Sequence, residues 1–175
     1  MTVNKKERFI ATLEKHKKII YKIVNSYCPN WEDRKDLEQE IIIQLWKSFD
    51  NFDDRYKYST YMYRISLNVA ISFYRRQRKW ALQSSHYDVE SIFSVTAENG
   101  TEETESDDKI RLLQAFINNL NELDKALMLL YLEEKTYEEI ASILGITKTN
   151  VATKISRIKI KLKKQFIKTE NHGST

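Results

Sequence analysis

An acidic stretch divides this chain and limits the folds open to it. Residues 81–108 include eight Asp and Glu residues and no Lys or Arg. The rest of the 175-residue chain holds 17 acidic and 29 basic residues, a formal charge of +12, whereas the whole chain carries +4. Charge of one sign, together with Asn99, Gly100 and several Ser and Thr, is typical of a flexible tether. We therefore predict two basic lobes joined by this linker, each with its own core.

Both lobes should be helical. One Pro and three Gly in the whole chain suit helices far better than β-sandwiches. The predicted fold class is all-α, with a small helical bundle at residues 5–80, the linker at 81–108 and a helix-turn-helix domain at 109–168. No apolar run approaches the roughly 18 residues of a membrane span. The first residues lack an export signal, and one cysteine, Cys28, fits a reducing compartment, so the expected location is the cytoplasm.

The most informative helix of the first lobe is predicted from about Asp36 to Phe49. At about 100° per residue it has two apolar faces. One face carries Leu37, Ile41 and Leu45, and the other carries Asp36, Gln39, Ile43 and Trp46. The second face indicates either a partner surface with Trp46 as its anchor or a helix buried on both sides within its own bundle. The helical pattern does not decide between these two interpretations.

An aromatic loop at 51–58 precedes a second helix, predicted from about Ser59 to Lys79. The residues predicted to face inward are Met62, Ile65, Val69 and Phe73, and those on the remaining surface are Tyr63, Leu67, Ile71 and Tyr74. The loop mixes aromatic rings with cations, and the helix ends in a basic run. Rings stack on unpaired bases, at roughly 1 to 3 kcal/mol each, while cations meet phosphates. Tyrosines at this density also fill ordinary cores, so both interpretations stay open.

The second lobe contains explicit helix boundaries. Thr136 and Glu139 form a capping box that opens a helix, and Gly145 supplies a left-handed stop. Thr147 is the N-cap of the next helix. Helix, glycine turn and helix predict a helix-turn-helix. The last helix turns Val151, Ile155, Ile158 and Leu162 inward and Thr149, Asn150, Thr153, Lys154, Arg157, Lys161 and Lys164 outward.

That outer face is typical of a recognition helix in the DNA major groove. A solvated basic helix in a plain bundle is the alternative. The caps and the glycine turn favour DNA.

Several spaced motifs resemble one protein family. The runs D-L-x-Q-E from Asp36, L-W from Leu45, Y-R-I-x-x-N-x-A-I from Tyr63 and Y-R-R from Tyr74 resemble region 2 of the extracytoplasmic-function (ECF) sigma factors, small members of the sigma-70 family of bacterial RNA polymerase. The runs L-x-E-L-D from Leu120, Y-E-E-I-A-x-I-L-G-I from Tyr137 and V-x-T-K-x-x-R from Val151 resemble region 4. Other regulators share the second pattern, so region 2 carries the identification.

The resemblance implies an alternative sigma factor that binds core RNA polymerase and directs promoter-specific initiation. It implies docking on the polymerase β′ clamp helices by Asp36, Leu37, Gln39, Glu40, Ile43 and Trp46. It implies melting of the −10 element by Asn51, Phe52, Asp53, Arg55, Tyr56, Lys57, Tyr61, Arg64, Asn68, Arg75 and Arg76. It implies reading of the −35 element by Lys148, Asn150, Thr153, Lys154, Arg157 and Lys161. Promoter DNA, the polymerase β flap and an anti-sigma factor are further implied partners, without a cofactor or metal.

Three positions depart from the family pattern. Tyr61 stands where many relatives have Trp, and Leu67 and Ala152 stand where Arg or Lys is frequent, so the promoter sequence of a relative cannot be transferred. An enzyme is not expected, because the chain has no phosphate-binding glycine loop, nucleophile elbow or cysteine-histidine metal pattern. A conventional regulator that binds duplex DNA without polymerase is the nearer alternative, and a purely protein-bound helical adaptor is the third.

Overall fold

The computed structural model describes residues 4–53, 55–83 and 105–172, which belong to two compact units. The first unit contains α1 (Lys5–Tyr27), α2 (Trp31–Ser48), a 3₁₀ turn (Phe49–Asn51) and α3 (Tyr58–Gln83). The second contains α4 (Glu105–Asn118), α5 (Glu122–Leu132), α6 (Tyr137–Leu144) and α7 (Lys148–His172). No strand occurs in the three described ranges, and the all-α prediction is confirmed. In those same ranges no helix has both the length and the apolar character of a membrane span.

Side-chain caps set where several helices begin. The Asn30 side chain accepts a hydrogen bond from the backbone N–H of Asp33 at 2.7 Å, so α2 starts at Trp31 rather than at the predicted Asp36. The prediction was late because its apolar stripe begins only at Leu37, after a polar first turn. In the same way, Asn121 caps α5 by accepting from the Asp124 N–H at 2.9 Å.

The core of the first unit lies between α1, α2 and α3. Its fully buried side chains include Ile23, Leu37, Ile41, Leu45, Met62 and Leu67. The predicted inward stripe of α3 is only partly right, because Ile65 and Val69 are half-buried whereas Tyr63 and Leu67 are buried. Since α3 packs against both α1 and α2, it buries a wider arc than a single stripe. Leu67 therefore occupies the core, and a cation there would lose its solvation.

The second unit has a core under the helix-turn-helix. Leu127, Leu130, Ile140, Ile143, Val151 and Ile155 are fully buried. A further cluster of Phe116, Ile117, Met128 and Ile158 joins α4 to α5 and α7. Because α7 contributes to both groups, it packs against the other helices of the unit along much of its length.

Helix occupies both ends of the interval predicted to be a tether. The last residue of α3 is Gln83 and the first residue of α4 is Glu105, although the linker was predicted at 81–108. The prediction ended α3 too early because the pattern of apolar residues stops before the helix does. The remainder of the tether, residues 84–104, lies outside the described residues.

Candidate nucleic-acid and partner interfaces

The two faces of α2 differ in exposure. Leu37, Ile41 and Leu45 are 0% exposed, whereas Ile43 is 50% and Trp46 is 38% exposed. The interpretation of α2 as a helix buried on both sides is therefore wrong. The resemblance also implied that Leu37 docks on a partner, but its side chain is 0% exposed and lies in the core with Ile41 and Leu45. Leu37 is therefore not part of the exposed surface. We call this exposed surface the α2 outer face; it comprises Asp36, Gln39, Glu40, Ile43 and Trp46.

Trp46 is held in place by α1. The Phe9 ring meets its indole edge-on with centroids 5.2 Å apart, and Lys5 Nζ lies 4.5 Å from the indole centroid. Lys5 also pairs with Asp50 at 2.5 Å. The anchor is thus pre-positioned, with part of its surface open. The contacts of Lys5 and Phe9 with Trp46 were not predicted from the sequence, because the two residues lie about 40 positions away in the chain and no local pattern joins them to Trp46.

An ion pair joins two of the predicted functional sets. Arg76 Nη2 lies 2.7 and 2.9 Å from the two carboxylate oxygens of Glu40, and its guanidinium lies 5.7 Å from the Phe73 ring centroid. Nearby, Gln77 donates a hydrogen bond to Asp33 at 2.8 Å. Glu40, predicted to meet polymerase, and Arg76, predicted to meet DNA, are therefore neighbours across α2 and α3.

Three aromatic side chains at the loop, Phe52, Tyr58 and Tyr61, form one packed cluster. The centroid distances are 4.9 Å for Phe52 and Tyr58, 5.2 Å for Phe52 and Tyr61, and 5.8 Å for Tyr58 and Tyr61. The Tyr61 hydroxyl donates to the carbonyl oxygen of Ser48 at 2.6 Å. Burial, with the neighbouring Tyr61, raises the pKa of Tyr58 to about 12. These rings are mutually supported, while Tyr56 remains exposed.

A cavity of about 380 Å³ opens beside this cluster. Its lining consists of Arg8, Thr12, Phe49, Asp50, Phe52 and Tyr58. Arg8 lies 5.9 Å from the Phe49 ring centroid. Aromatic walls with a cation and a carboxylate suit a planar, polar-edged group such as a nucleobase. The loop residues were predicted from the sequence, but the contribution of α1 was not, because α1 reaches the loop only through the tertiary fold.

The residues near the loop that are predicted to meet DNA differ in their surroundings. Arg55 binds both carboxylate oxygens of Asp53, with Nη2 to Oδ2 at 2.6 Å. This side-chain hydrogen bond lowers the pKa of Asp53 below its ordinary value. On α3, Arg64 and Asn68 are exposed one helical turn apart. Asn51, Lys57 and Arg75 of the predicted set are exposed as well, as is the end of the basic run at Arg78 and Lys79.

The predicted helix-turn-helix is confirmed in detail. Thr136 accepts from the Glu139 N–H at 3.2 Å, and Glu139 accepts from the Thr136 N–H at 2.9 Å, which completes the capping box. Gly145 adopts φ +68°, a left-handed conformation that glycine tolerates best. Thr147 caps α7 by accepting from the Asn150 N–H at 3.2 Å.

The outer residues of α7 fall into two groups. Asn150, Thr153, Arg157 and Lys161 are exposed as predicted. Lys148 is exposed and paired with Glu138. The prediction that Lys154 faces outward is wrong: at about 100° per residue it lies about 40° from buried Ile158, whereas Thr153 lies about 140° away. The Lys154 side chain is 29% exposed and contacts Asp124 of α5 at 3.2 Å.

No cluster of three or more His, Cys, Asp or Glu side chains suitable for a metal ion occurs in residues 4–53, 55–83 and 105–172. The described surfaces are an exposed face on α2 centred on Ile43 and Trp46, an aromatic cavity at the loop and a cationic, amide-bearing face on α7.

Comparison with known proteins gives the same assignment of the two units. The model of Sigma-70 region 2 matches residues 12–79, and the model of Sigma-70, region 4 matches residues 110–162. The ECF RNA polymerase sigma factor SigW of Bacillus subtilis (strain 168) is 26% identical over 167 residues, covering 91% of this chain and 89% of SigW. RNA polymerase sigma factor SigV of the same organism is 27% identical over 153 residues, covering 87% of each chain.

Solved structures show the same fold. The sigma factor RpoE, in its complex with the anti-sigma factor NepR from Bartonella quintana, matches with a TM-score of 0.70 and 18% identity, over 90% of this chain and 96% of RpoE. CnrH, in complex with the cytosolic domain of CnrY, matches with a TM-score of 0.63 and 17% identity, over 93% and 89%. Because the two family models together match more than half of the chain, in family order, the chain belongs to the sigma-70 family as an ECF sigma factor, which binds core RNA polymerase and directs transcription initiation at promoters.

Proposed function

We propose that the α2 outer face is the surface with which this sigma factor docks on the clamp helices of the polymerase β′ subunit. The observation that supports this is the contrast between the fully buried Leu37, Ile41 and Leu45 and the half-exposed Ile43 and Trp46 on the same helix. An aromatic anchor with a polar rim is typical of an interface hot spot. Asp36, Gln39 and Glu40 supply that rim.

The aromatic cluster and its cavity are proposed to open the −10 element and hold an unstacked base. Extruding a base costs a few kcal/mol, which stacking at roughly 1 to 3 kcal/mol per base can offset together with polymerase contacts. The cavity offers ring walls for the base, and Arg64 and Asn68 are exposed where the strand backbone would pass. Asn51, Phe52, Asp53, Arg55, Tyr56, Lys57, Tyr61 and Arg75 complete the proposed set. Arg76, which is paired with Glu40, lies where the docking and DNA surfaces meet.

The exposed face of α7 is proposed to read the −35 element in the major groove. Asn150 and Arg157 carry the amide and guanidinium groups that hydrogen-bond base edges, and Lys148, Thr153 and Lys161 lie where phosphates or further base edges would be met. Residues 5–80, 81–108 and 109–168 would then be the polymerase-binding domain, the linker and the −35-binding domain. The β flap and an anti-sigma factor are proposed as further partners, and the protein is proposed to act at the nucleoid without catalytic activity of its own.

In vitro transcription tests this function. The full chain, core polymerase from its host and a fragmented genomic library would be combined, with transcript starts mapped by sequencing. We expect starts that require the protein and share two upstream elements at a fixed spacing. Salt-sensitive binding to duplex DNA without dependent starts would instead identify a regulator that works without polymerase docking.

A further inference from the structure

The ion pair between α5 and α7 differs from the other cation contacts of the recognition helix. Lys154 Nζ lies 3.2 Å from Asp124 Oδ1, and the two side chains are only 29% and 15% exposed. The pair of Lys148 and Glu138, by contrast, is about two-thirds exposed on both sides. An exposed pair exchanges readily with water and salt, whereas a largely buried pair holds its partners in one arrangement.

Asp124 is itself fixed to the start of α5. Its Oδ2 accepts a hydrogen bond from Asn121 Nδ2 at 2.8 Å, and its backbone N–H is capped by Asn121 Oδ1 at 2.9 Å. The carboxylate also lies in the first helical turn, where the helix dipole favours negative charge. Lys154 is therefore anchored to a rigid point on another helix.

This anchoring opposes a contact between Lys154 and DNA. To reach a phosphate, the ammonium would have to leave Asp124 and uncover a poorly solvated carboxylate close to the DNA backbone, which is unfavourable. Arg157 and Lys161 are exposed on the same helix and have no such constraint. Cations for the DNA are thus available without Lys154.

We propose that Lys154 and Asp124 are positioning residues for −35 recognition: the pair fixes the orientation of α7 on α5, and neither side chain contacts DNA. The Gly145 turn sets the start of α7, and this pair holds the helix two turns further along. Asp124 thereby becomes a determinant of promoter specificity although it belongs to another helix and carries the same sign of charge as DNA. The inference rests on the proposed function of α7.

Salt dependence separates a phosphate contact from a positioning role. Holoenzyme would be assembled from the full chain and its host's core polymerase, and its binding measured between low and moderate salt on a mapped promoter and on a copy with a scrambled −35 element. The variants are Asp124→Asn, Lys154→Met, the double variant and Lys161→Met, which is the matched loss of a lysine on the same helix. Lys161→Met should lower the magnitude of the salt slope by about 1.

Lys154→Met and Asp124→Asn should leave that slope unchanged and each reduce the preference for the intact −35 element by about threefold to tenfold. The double variant should lose no more than the worse single variant, because both changes break one link, and Lys154→Arg should retain the preference. Retained helical content and retained affinity for core polymerase would show that the variants are folded.

The proposal is overturned if Lys154→Met lowers the slope as Lys161→Met does, or if Asp124→Asn leaves the −35 preference intact. If Lys154→Met or Asp124→Asn does not fold, Lys154→Arg and Asp124→Glu replace them in the test. Lys154→Arg should keep the preference for the −35 element, and Asp124→Glu should lower it because the longer side chain displaces the carboxylate. If the unsubstituted holoenzyme shows no −35 preference at all, the proposed function of α7 fails, and this result is distinct from failure of the pair.

Discussion

The outer faces of α2 and α7 are both exposed helix surfaces above a buried core, yet their chemistry is opposite. The α2 outer face centres on Ile43 and Trp46, whereas α7 presents Asn150, Thr153, Arg157 and Lys161. Apolar burial depends little on salt, while attraction between cations and phosphates falls steeply with it. The two proposed binding surfaces therefore depend on different physical forces, and experiments can weaken them one at a time.

The largest effect should come from placing a charge on the α2 outer face. Ile43→Glu puts a carboxylate where the proposed interface would exclude water, so we expect about 100-fold weaker binding to core polymerase. Fluorescence anisotropy with labelled core polymerase measures this affinity. The matched control is Ile10→Glu on α1, because Ile10 is 47% exposed and Ile43 is 50% exposed. Equal losses in both variants would show that the α2 face has no special role.

Arg157→Gln should weaken the other surface without affecting the first. Losing a guanidinium that contacts a base edge costs about 1 to 3 kcal/mol of discrimination. Holoenzyme affinity should therefore fall by roughly tenfold to a hundredfold on a promoter, and the loss should disappear on DNA with a scrambled −35 element. Affinity for core polymerase should stay as it was. A loss of equal size on both DNA molecules would identify Arg157 as a phosphate contact instead.

The orientation of the exposed face of α7 depends on the left-handed turn at Gly145, and a substitution there tests how far this dependence extends. A Cβ at Gly145 would meet nothing within 4 Å, so Gly145→Ala should cost only the left-handed backbone strain, about 1 kcal/mol. Amide hydrogen exchange should report the loss in α6 and α7 and leave α1 to α3 unchanged. Glu134, at φ 56°, is the counterpart, and Glu134→Gly should gain up to about 1 kcal/mol. Faster exchange in α2 of Gly145→Ala would contradict this expectation.

A difference between local and long-range contacts explains how much of each unit the sequence predicts. In the second unit the decisive geometry is local. The Thr136 capping box, the Gly145 turn and the Thr147 cap each join residues no more than five positions apart, and their sequence patterns predict them. The position of Lys154 was predicted wrongly because its angle on the helix lies between the buried and the exposed face. Its partner Asp124, which decides the matter, is 30 residues away in the chain.

In the first unit the decisive contacts are long-range. Lys5 and Asp50 are 45 residues apart, and Glu40 and Arg76 are 36 apart. Nothing in the local pattern predicts that α1 closes one side of the loop cavity with Arg8 and Thr12. The position of a helix on a face follows from periodicity, whereas the neighbour across the interface follows only from tertiary packing.

The smallest effect should be a pH dependence confined to the first unit. His16 lies 5.8 Å from the Tyr58 ring, and burial, with the adjacent Lys15, lowers the pKa of His16 below 6.5. The unfolded chain therefore binds a proton at His16 more readily than the folded chain does, so this residue makes stability rise with pH up to and through pH 6.5. The gain levels off only at higher pH, where His16 is neutral in both states. NMR titration should place the His16 pKa below that of an unfolded peptide.

Hydrogen exchange measures the consequence for stability. Between about pH 5.5 and 7, exchange in α1 and α3 should slow as pH rises, after correction for intrinsic exchange rates, while α6 and α7 show no matching trend. His16→Gln should abolish the trend, and a trend that persists in that variant would assign it to another group.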